Sequence, residues 1–141
     1  MSFASPNSAE TYARVGLETS VAAADPHRLI LMLFDGALLA IATAGNALQE
    51  GRLADKGRAI ARATNIVSSG LRASLNFSAG DELPNRLAAL YDYMAARLVH
   101  ANLHNDPAAL QEVSRLLGEI KSAWEEIADD PAVASRNKVA A

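Results

Sequence analysis

An antiparallel, up-down four-helix bundle is the fold class this sequence predicts, and three observations carry the prediction. Apolar residues repeat in alternating steps of four and three through four segments of about 20 to 25 residues, a spacing that holds one helix face against its partners. Thirty of the 141 residues are Ala, the strongest helix former, and only 5% are aromatic, so the helices must pack through small side chains. The segments are joined by short stretches holding Gly, Asp or Pro, and short connections force neighbouring helices to run in opposite directions. The length suits one domain with one continuous core.

Residues 1–24 contain an amphipathic piece with Tyr12 and Val15 three apart, followed by the weakly structured TSVAAA. Isolated short helices are marginal in water, so this segment is expected to be a mobile arm with about two helical turns. The first bundle helix begins at Asp25. Its carboxylate can accept from the free N–H groups of a first turn, and Pro26 has no N–H to leave unsatisfied. Ile30, Phe34, Ala37, Ile41, Ala44 and Leu48 form its inner stripe, and Gly51 supplies a left-handed stop after Glu50.

The second helix is expected from about Asp55 to Phe77, with Ile60, Val67, Leu71 and Ser74 facing the core. A neighbouring stripe, Ala59, Ala63, Ile66, Gly70, Ala73 and Phe77, adds apolar surface beyond what one contact needs. Residues 78–81 form a loop, and Asp81 or a near neighbour caps the third helix, with Pro84 tolerated in its first turn. Leu87, Tyr91, Met94, Leu98 and Ala101 carry that helix to about His104. Asp106 and Pro107 then repeat the opening of the first helix. Leu110, Val113, Leu117, Ile120, Trp124 and Ile127 form the cleanest heptad in the chain, with Trp124 placed in the core. Asp130 and Pro131 end this helix, so the bundle spans 25–130, and residues 131–141 are expected to be a disordered tail.

Five glycines, at 36, 45, 57, 70 and 118, fall inside these helices, each at roughly 1 kcal/mol against Ala. Close helix contact accounts for them, or a bundle soft enough to adjust to a partner. Residues 52–72 hold five basic side chains and one acidic, while residues 106–130 hold seven acidic and two basic. Adjacent, complementary helix faces are the simplest explanation.

The net charge of −3 gives no general attraction to nucleic acid or anionic lipid. With no cysteine there is neither a disulfide framework nor a thiolate metal site, which fits a reducing cytosol. The N-terminus shows no basic start followed by an apolar core, so neither a signal peptide nor membrane insertion is expected.

No constellation for chemistry emerges. His100 and His104 have the four-residue spacing of a metal clamp, but no inward carboxylates accompany them, so they are expected to face solvent and no metal or other cofactor is implied. His27 is expected to serve as a local cap or surface contact. Asp35 reads as a buried carboxylate accepting a hydrogen bond from another helix. None of the histidines has the Lys and Gly sequel of a phosphotransfer bundle, and a phosphate loop and a serine elbow are also missing from the sequence. An interaction protein is the consequence: a bundle with spare apolar surface and a detachable arm that a partner segment can bury.

The stretches TYARVGLETSV, DPHRLILMLFDGAL, LYDYMAARLVHAN followed by LHNDP, and EVSRLLGEIKSAWEEI resemble, in order and spacing, the flagellar secretion chaperone FliS family, over residues 12 to about 127. The resemblance implies a cytosolic, non-enzymatic four-helix bundle that binds the disordered C-terminal segment of flagellin. Such a chaperone prevents flagellin's premature polymerisation and delivers it to a gate component of the flagellar type III export apparatus. It also implies that the Tyr-bearing arm lies over part of the flagellin-binding surface. The expected partner-binding set is Tyr12, Val15, Ile60, Ala63, Ile66, Val67, Gly70 and Leu71. An adaptor or phosphotransfer-type signalling bundle is the alternative, separable by incubation with a phosphodonor.

Overall fold

The structure, a computed structural model, describes residues 25–78, 80 and 82–128. The expectations for the arm, for Asp81 and for the tail fall outside these residues. Helix α1 spans Pro26–Gln49 and α2 spans Leu53–Asn65, continuing through a wider π-helical winding over Ile66–Arg72. Helix α3 spans Leu83–His104 and α4 spans Pro107–Ala128. Each helix packs on the next, and α4 closes the ring against α1, so α1 and α3 occupy one diagonal and α2 and α4 the other. Lys56 near the start of α2 reaches the end of α3, Arg72 at the end of α2 reaches Asp92 midway back along α3, and Lys121 and Trp124 late in α4 reach Asp35 and His27 in α1. Neighbours are therefore antiparallel.

The helix ends follow local chemistry. Asp25 Oδ1 accepts from the Arg28 N–H at 2.7 Å, and Pro26 sits in the first turn. At the other end Gly51 takes φ 74°, which lets Arg52 N–H donate to Ala47 O at 2.8 Å and Gly51 N–H donate to Leu48 O at 3.1 Å. That pair of bonds is a Schellman closure. Asn105 ends α3 at φ 50°, where Ala101 O accepts from both the Asn105 and the Asp106 N–H, and the Asp106 side chain then caps α4 through the Ala108 N–H at 3.0 Å.

Helix α2 departs from expectation at its end: it closes at Arg72, five residues short of Phe77. The Ser74 hydroxyl donates to Leu71 O at 2.8 Å, and Asn76 Oδ1 accepts from the Ser78 N–H at 2.9 Å. These side chains compete with the helix for its backbone groups and turn the chain out. Ser74 is consequently an exposed terminator rather than a core residue, and Phe77 stands half in solvent.

The core is the predicted one along most of its length. Phe34, Ala37, Ile41 and Ala44 meet Tyr91, Met94, Leu98, Ala101, Leu110, Val113 and Leu117 with little or no exposure. The α4 stripe opens towards its end: Ile120 and Trp124 are partly buried and Ile127 is exposed. By length and mean hydropathy, 1.7 over its most apolar window, α1 would pass as a membrane span; 28% of that window is buried in the bundle, and the buried apolar residues of the helix are Phe34, Ala37, Ala40, Ile41, Ala44 and Ala47.

Candidate partner-binding surface

The expected partner-binding residues divide by depth. Ile60, Ala63, Val67 and Leu71 are core residues, at most 2% exposed, so a partner could touch them only by parting the helices. Ile60, Val67 and Leu71 stand on the stripe expected to face the core, and with Ala63 they alternate along the side of α2 that the other helices enclose. Ile66 and Gly70 are half-buried at the contact with α1. A Cβ on Gly36 would stand 3.4 Å from Ile66 Cδ1, and one on Gly70 would stand 3.1 Å from Leu33 Cδ2. Both positions therefore hold α1 and α2 together. Tyr12 and Val15 lie outside the described residues.

Apolar side chains that sequence reasoning passed over stand on the outside instead. Leu103 is 76% exposed and Val99, one turn earlier on α3, is 56% exposed; Leu39, Leu53, Leu83 and Tyr93 are also exposed. Leu53 begins α2 at the end of the bundle where α3 finishes, since Lys56 and Gly57 lie against Asn102. A clue was present in RLVHANLH, where Val99 and Leu103 are spaced four apart but fall off the stripe of Leu98 and Ala101.

The polar residues singled out from the sequence have structural partners. Asp35 is exposed rather than buried, and its Oδ1 meets Lys121 Nζ of α4 at 2.7 Å, which holds the lysine above its ordinary value through this hydrogen bond. His100 Nε2 lies 3.2 Å from Asp106 Oδ2, and its ring is tilted against that of His104. Among the described residues no three His, Cys, Asp or Glu groups converge as metal ligands. His27 is a correction: it is 6% exposed and stacked on Trp124, not a surface contact, which also removes it from reach of a phosphodonor.

The charge asymmetry is a second correction. Basic α2 and acidic α4 sit on opposite corners of the bundle and do not neutralise each other. Arg72 pairs with Asp92 of α3 at 2.8 Å, and Glu112 of α4 accepts from Tyr93 and Arg97 of α3, each at 2.7 Å. Helices α1 and α3 come between, so the bundle carries a transverse separation of charge.

A family model described as flagellar protein FliS matches residues 8–131 of this chain. The flagellar secretion chaperone FliS of Salmonella typhimurium is 46% identical over 118 residues, covering 84% of this chain and 87% of that protein. The protein of the same name from Escherichia coli is 43% identical over 117 residues, covering 83% and 86%. The Bacillus subtilis relative is 36% identical over 109 residues, covering 77% and 80%.

Proposed function

Because the chain belongs to the FliS family, we propose that it is a cytoplasmic export chaperone, without catalytic activity, for the C-terminal segment of flagellin. It holds that segment in a form that does not polymerise and passes it to the flagellar type III export apparatus. The names of the relatives support the class. The observation that carries the mode of binding is the exposed pair Val99 and Leu103 on the outer side of α3, with Leu53 at the same end of the bundle.

A disordered tail must meet its own ordering cost when it binds, so the contact has to be broad and apolar, on the scale of about 1,000 to 3,000 Å². Exposed leucines spread around the outside of the bundle suit an extended segment that wraps it, whereas a single deep pocket would not. Occupying residues that flagellin subunits use to join one another blocks filament growth without consuming a nucleotide. Release then comes from competition at an export gate component. The Tyr12 and Val15 arm competes with flagellin for part of this surface, lowering apparent affinity by the fraction of time the surface is covered.

Titration calorimetry of the protein with a purified C-terminal flagellin segment tests the proposal. A one-to-one complex with a negative heat-capacity change is expected. The double substitution Val99→Ser and Leu103→Ser should weaken it by about tenfold or more, because two apolar contacts are lost. Deleting residues 1–17 should tighten it. No heat and no complex on gel filtration would overturn the function, and an unchanged affinity in the double variant would overturn the surface.

A further inference from the structure

On the opposite side of α2 from the α3 surface, α1 and α2 enclose a groove of about 440 Å³. Ala40 and Ala59 are its floor, the exposed Leu39 stands on the α1 wall, and Arg52, Asp55, Arg58 and Arg62 line the α2 wall. The guanidinium groups are unequally satisfied. Arg52 is held by both Glu50 and Asp55, at 2.7 and 2.8 Å. Arg58 shares that same Asp55 carboxylate, and Arg62 has no carboxylate partner among the described residues. Acidic α4 cannot supply one from the far corner of the bundle.

We propose that this groove is a docking site for a short, extended acidic segment of a partner protein, patterned acidic, apolar, acidic. The spacing selects the pattern. Arg58 and Arg62 are one helical turn apart, about 6 Å along α2. In an extended peptide, side chains two residues apart point the same way and lie about 6.6 Å apart. Two carboxylates at that spacing reach both guanidinium groups, where Arg makes charge-assisted and often forked hydrogen bonds. The residue between them points the other way, onto Leu39 of the α1 wall, where an aliphatic side chain covers exposed apolar surface. Asp55 competes for Arg58, so it sets the affinity of the groove without contacting the partner. A nucleic acid or a lipid surface is disfavoured by the net charge of −3. The site is separate from the Val99 and Leu103 surface and does not rest on it.

The probe is a fluorescein-labelled peptide, Gly-Ser-Asp-Leu-Glu-Ser-Gly, followed by anisotropy against the full chain at low and physiological salt. Binding that weakens with salt is expected, since exposed charge pairs are screened. Arg58→Glu with Arg62→Glu should weaken it by about tenfold or more, through two lost pairs and two new repulsions. Arg62→Ala, at an exposed side chain, gives the same direction with little risk to folding, which circular dichroism checks. Asp55→Asn should tighten binding by freeing Arg58, and the peptide with Asn and Gln in place of its acids should bind at least about tenfold more weakly. No binding at about 1 mM peptide, a weak affinity by any standard, would overturn the proposal, as would equal affinity in the arginine variants. Equal competition by an oligonucleotide or by anionic vesicles would overturn it in favour of general anion attraction. Concentration-dependent self-association of the unliganded chain that Arg62→Ala abolishes would overturn it in favour of a second copy presenting its acidic α4.

Discussion

The indole of Trp124 lies flat on the imidazole of His27, with ring centroids 4.7 Å apart and planes within 5°, and its Nε1 donates to the His27 carbonyl oxygen at 3.1 Å. One side chain thus ties the last turns of α4 to the first turn of α1 twice, by stacking and by a hydrogen bond. The ring is only partly buried, so Trp124→Ala should cost about 2 to 3 kcal/mol, below the 3 to 5 expected for a fully enclosed aromatic residue. Trp124→Phe keeps a ring on His27 and loses the hydrogen bond, at about 1 kcal/mol. Urea denaturation followed by circular dichroism measures both, and equal losses would mean that the stack contributes nothing.

His27 itself is the weak partner of that pair. Both of its ring nitrogens are buried without a hydrogen-bond partner among the described residues, and a buried polar atom left unpaired costs free energy. His27→Phe preserves the stack and much of the volume while removing both polar atoms. It should raise stability by about 1 kcal/mol. A loss of stability in the same denaturation experiment would show that the imidazole nitrogens are satisfied in solution.

What the sequence made legible, and what it did not, divides along one physical line. Helix starts at Asp25 and Asp106, the stop at Gly51 and the stripes from Phe34 to Ala44 and from Leu110 to Leu117 depend on residues close in sequence, and they stand where periodicity and capping chemistry put them. The early close of α2 was legible in principle, because Ser74 and Asn76 are backbone competitors, but the apolar stripe running on to Phe77 outweighed them. Lys56 was not legible. A lysine in a first turn reads as solvated, yet its ammonium reaches across to Asn102 O at 2.9 Å and to the Asn105 side chain, closing the end of α3 while only 5% exposed. That α2 and α4 are diagonal was already contained in the up-down topology, in which consecutive helices adjoin, whereas the charge sums carry no information about which corners adjoin and pointed the other way. For the candidate surface, periodicity put Ile60, Val67 and Leu71 at the core, where they stand, but left Ala63 and Ile66 on a spare stripe although the first is buried and the second half-buried, and depth decides what a partner can touch.

Acid sensitivity should arise at the α3–α4 contact and at Asp55 on α2, whose carboxyl the Arg52 and then the Arg58 hydrogen bonds hold down. Tyr93 Oη and Arg97 Nε both donate to the Glu112 carboxylate, and the Tyr93 hydrogen bond, followed by that of Arg97, holds its carboxyl below the ordinary 4.5. At Asp106, burial alone would raise the carboxyl, but the Ala108 and Ala109 N–H groups and His100 outweigh it and the net direction is down. A carboxyl lowered in the folded state binds fewer protons there than when unfolded. Its contribution is therefore complete above the unfolded value and lost as pH falls through the folded one. Stability should decline as pH drops below about 4.5, and Glu112→Gln should flatten that decline. Melting curves between pH 3 and 7 check this, and an unchanged acid slope in the variant would remove Glu112 from the account.

The helical glycines should respond in opposite directions to one substitution, because only some of them face a neighbour. A Cβ at Gly45 or Gly118 would meet nothing within 4 Å, so close packing does not explain either residue. Each Gly→Ala change there should stabilise the bundle by roughly 0.5 to 1 kcal/mol, through reduced backbone freedom in the unfolded chain and better helix propensity. At Gly70 a Cβ would sit 3.1 Å from Leu33 Cδ2 and 3.4 Å from Leu33 Cδ1, within the wider winding that ends α2. Gly70→Ala must push Leu33 aside, and overpacking of this kind costs about 1 kcal/mol or more, which cancels or reverses the propensity gain. If the open glycines are retained because the bundle adjusts to a wrapped partner, Gly45→Ala and Gly118→Ala should also weaken binding of the C-terminal flagellin segment while raising the melting temperature. Stabilised variants that bind with unchanged affinity would show that this softness has no part in recognition.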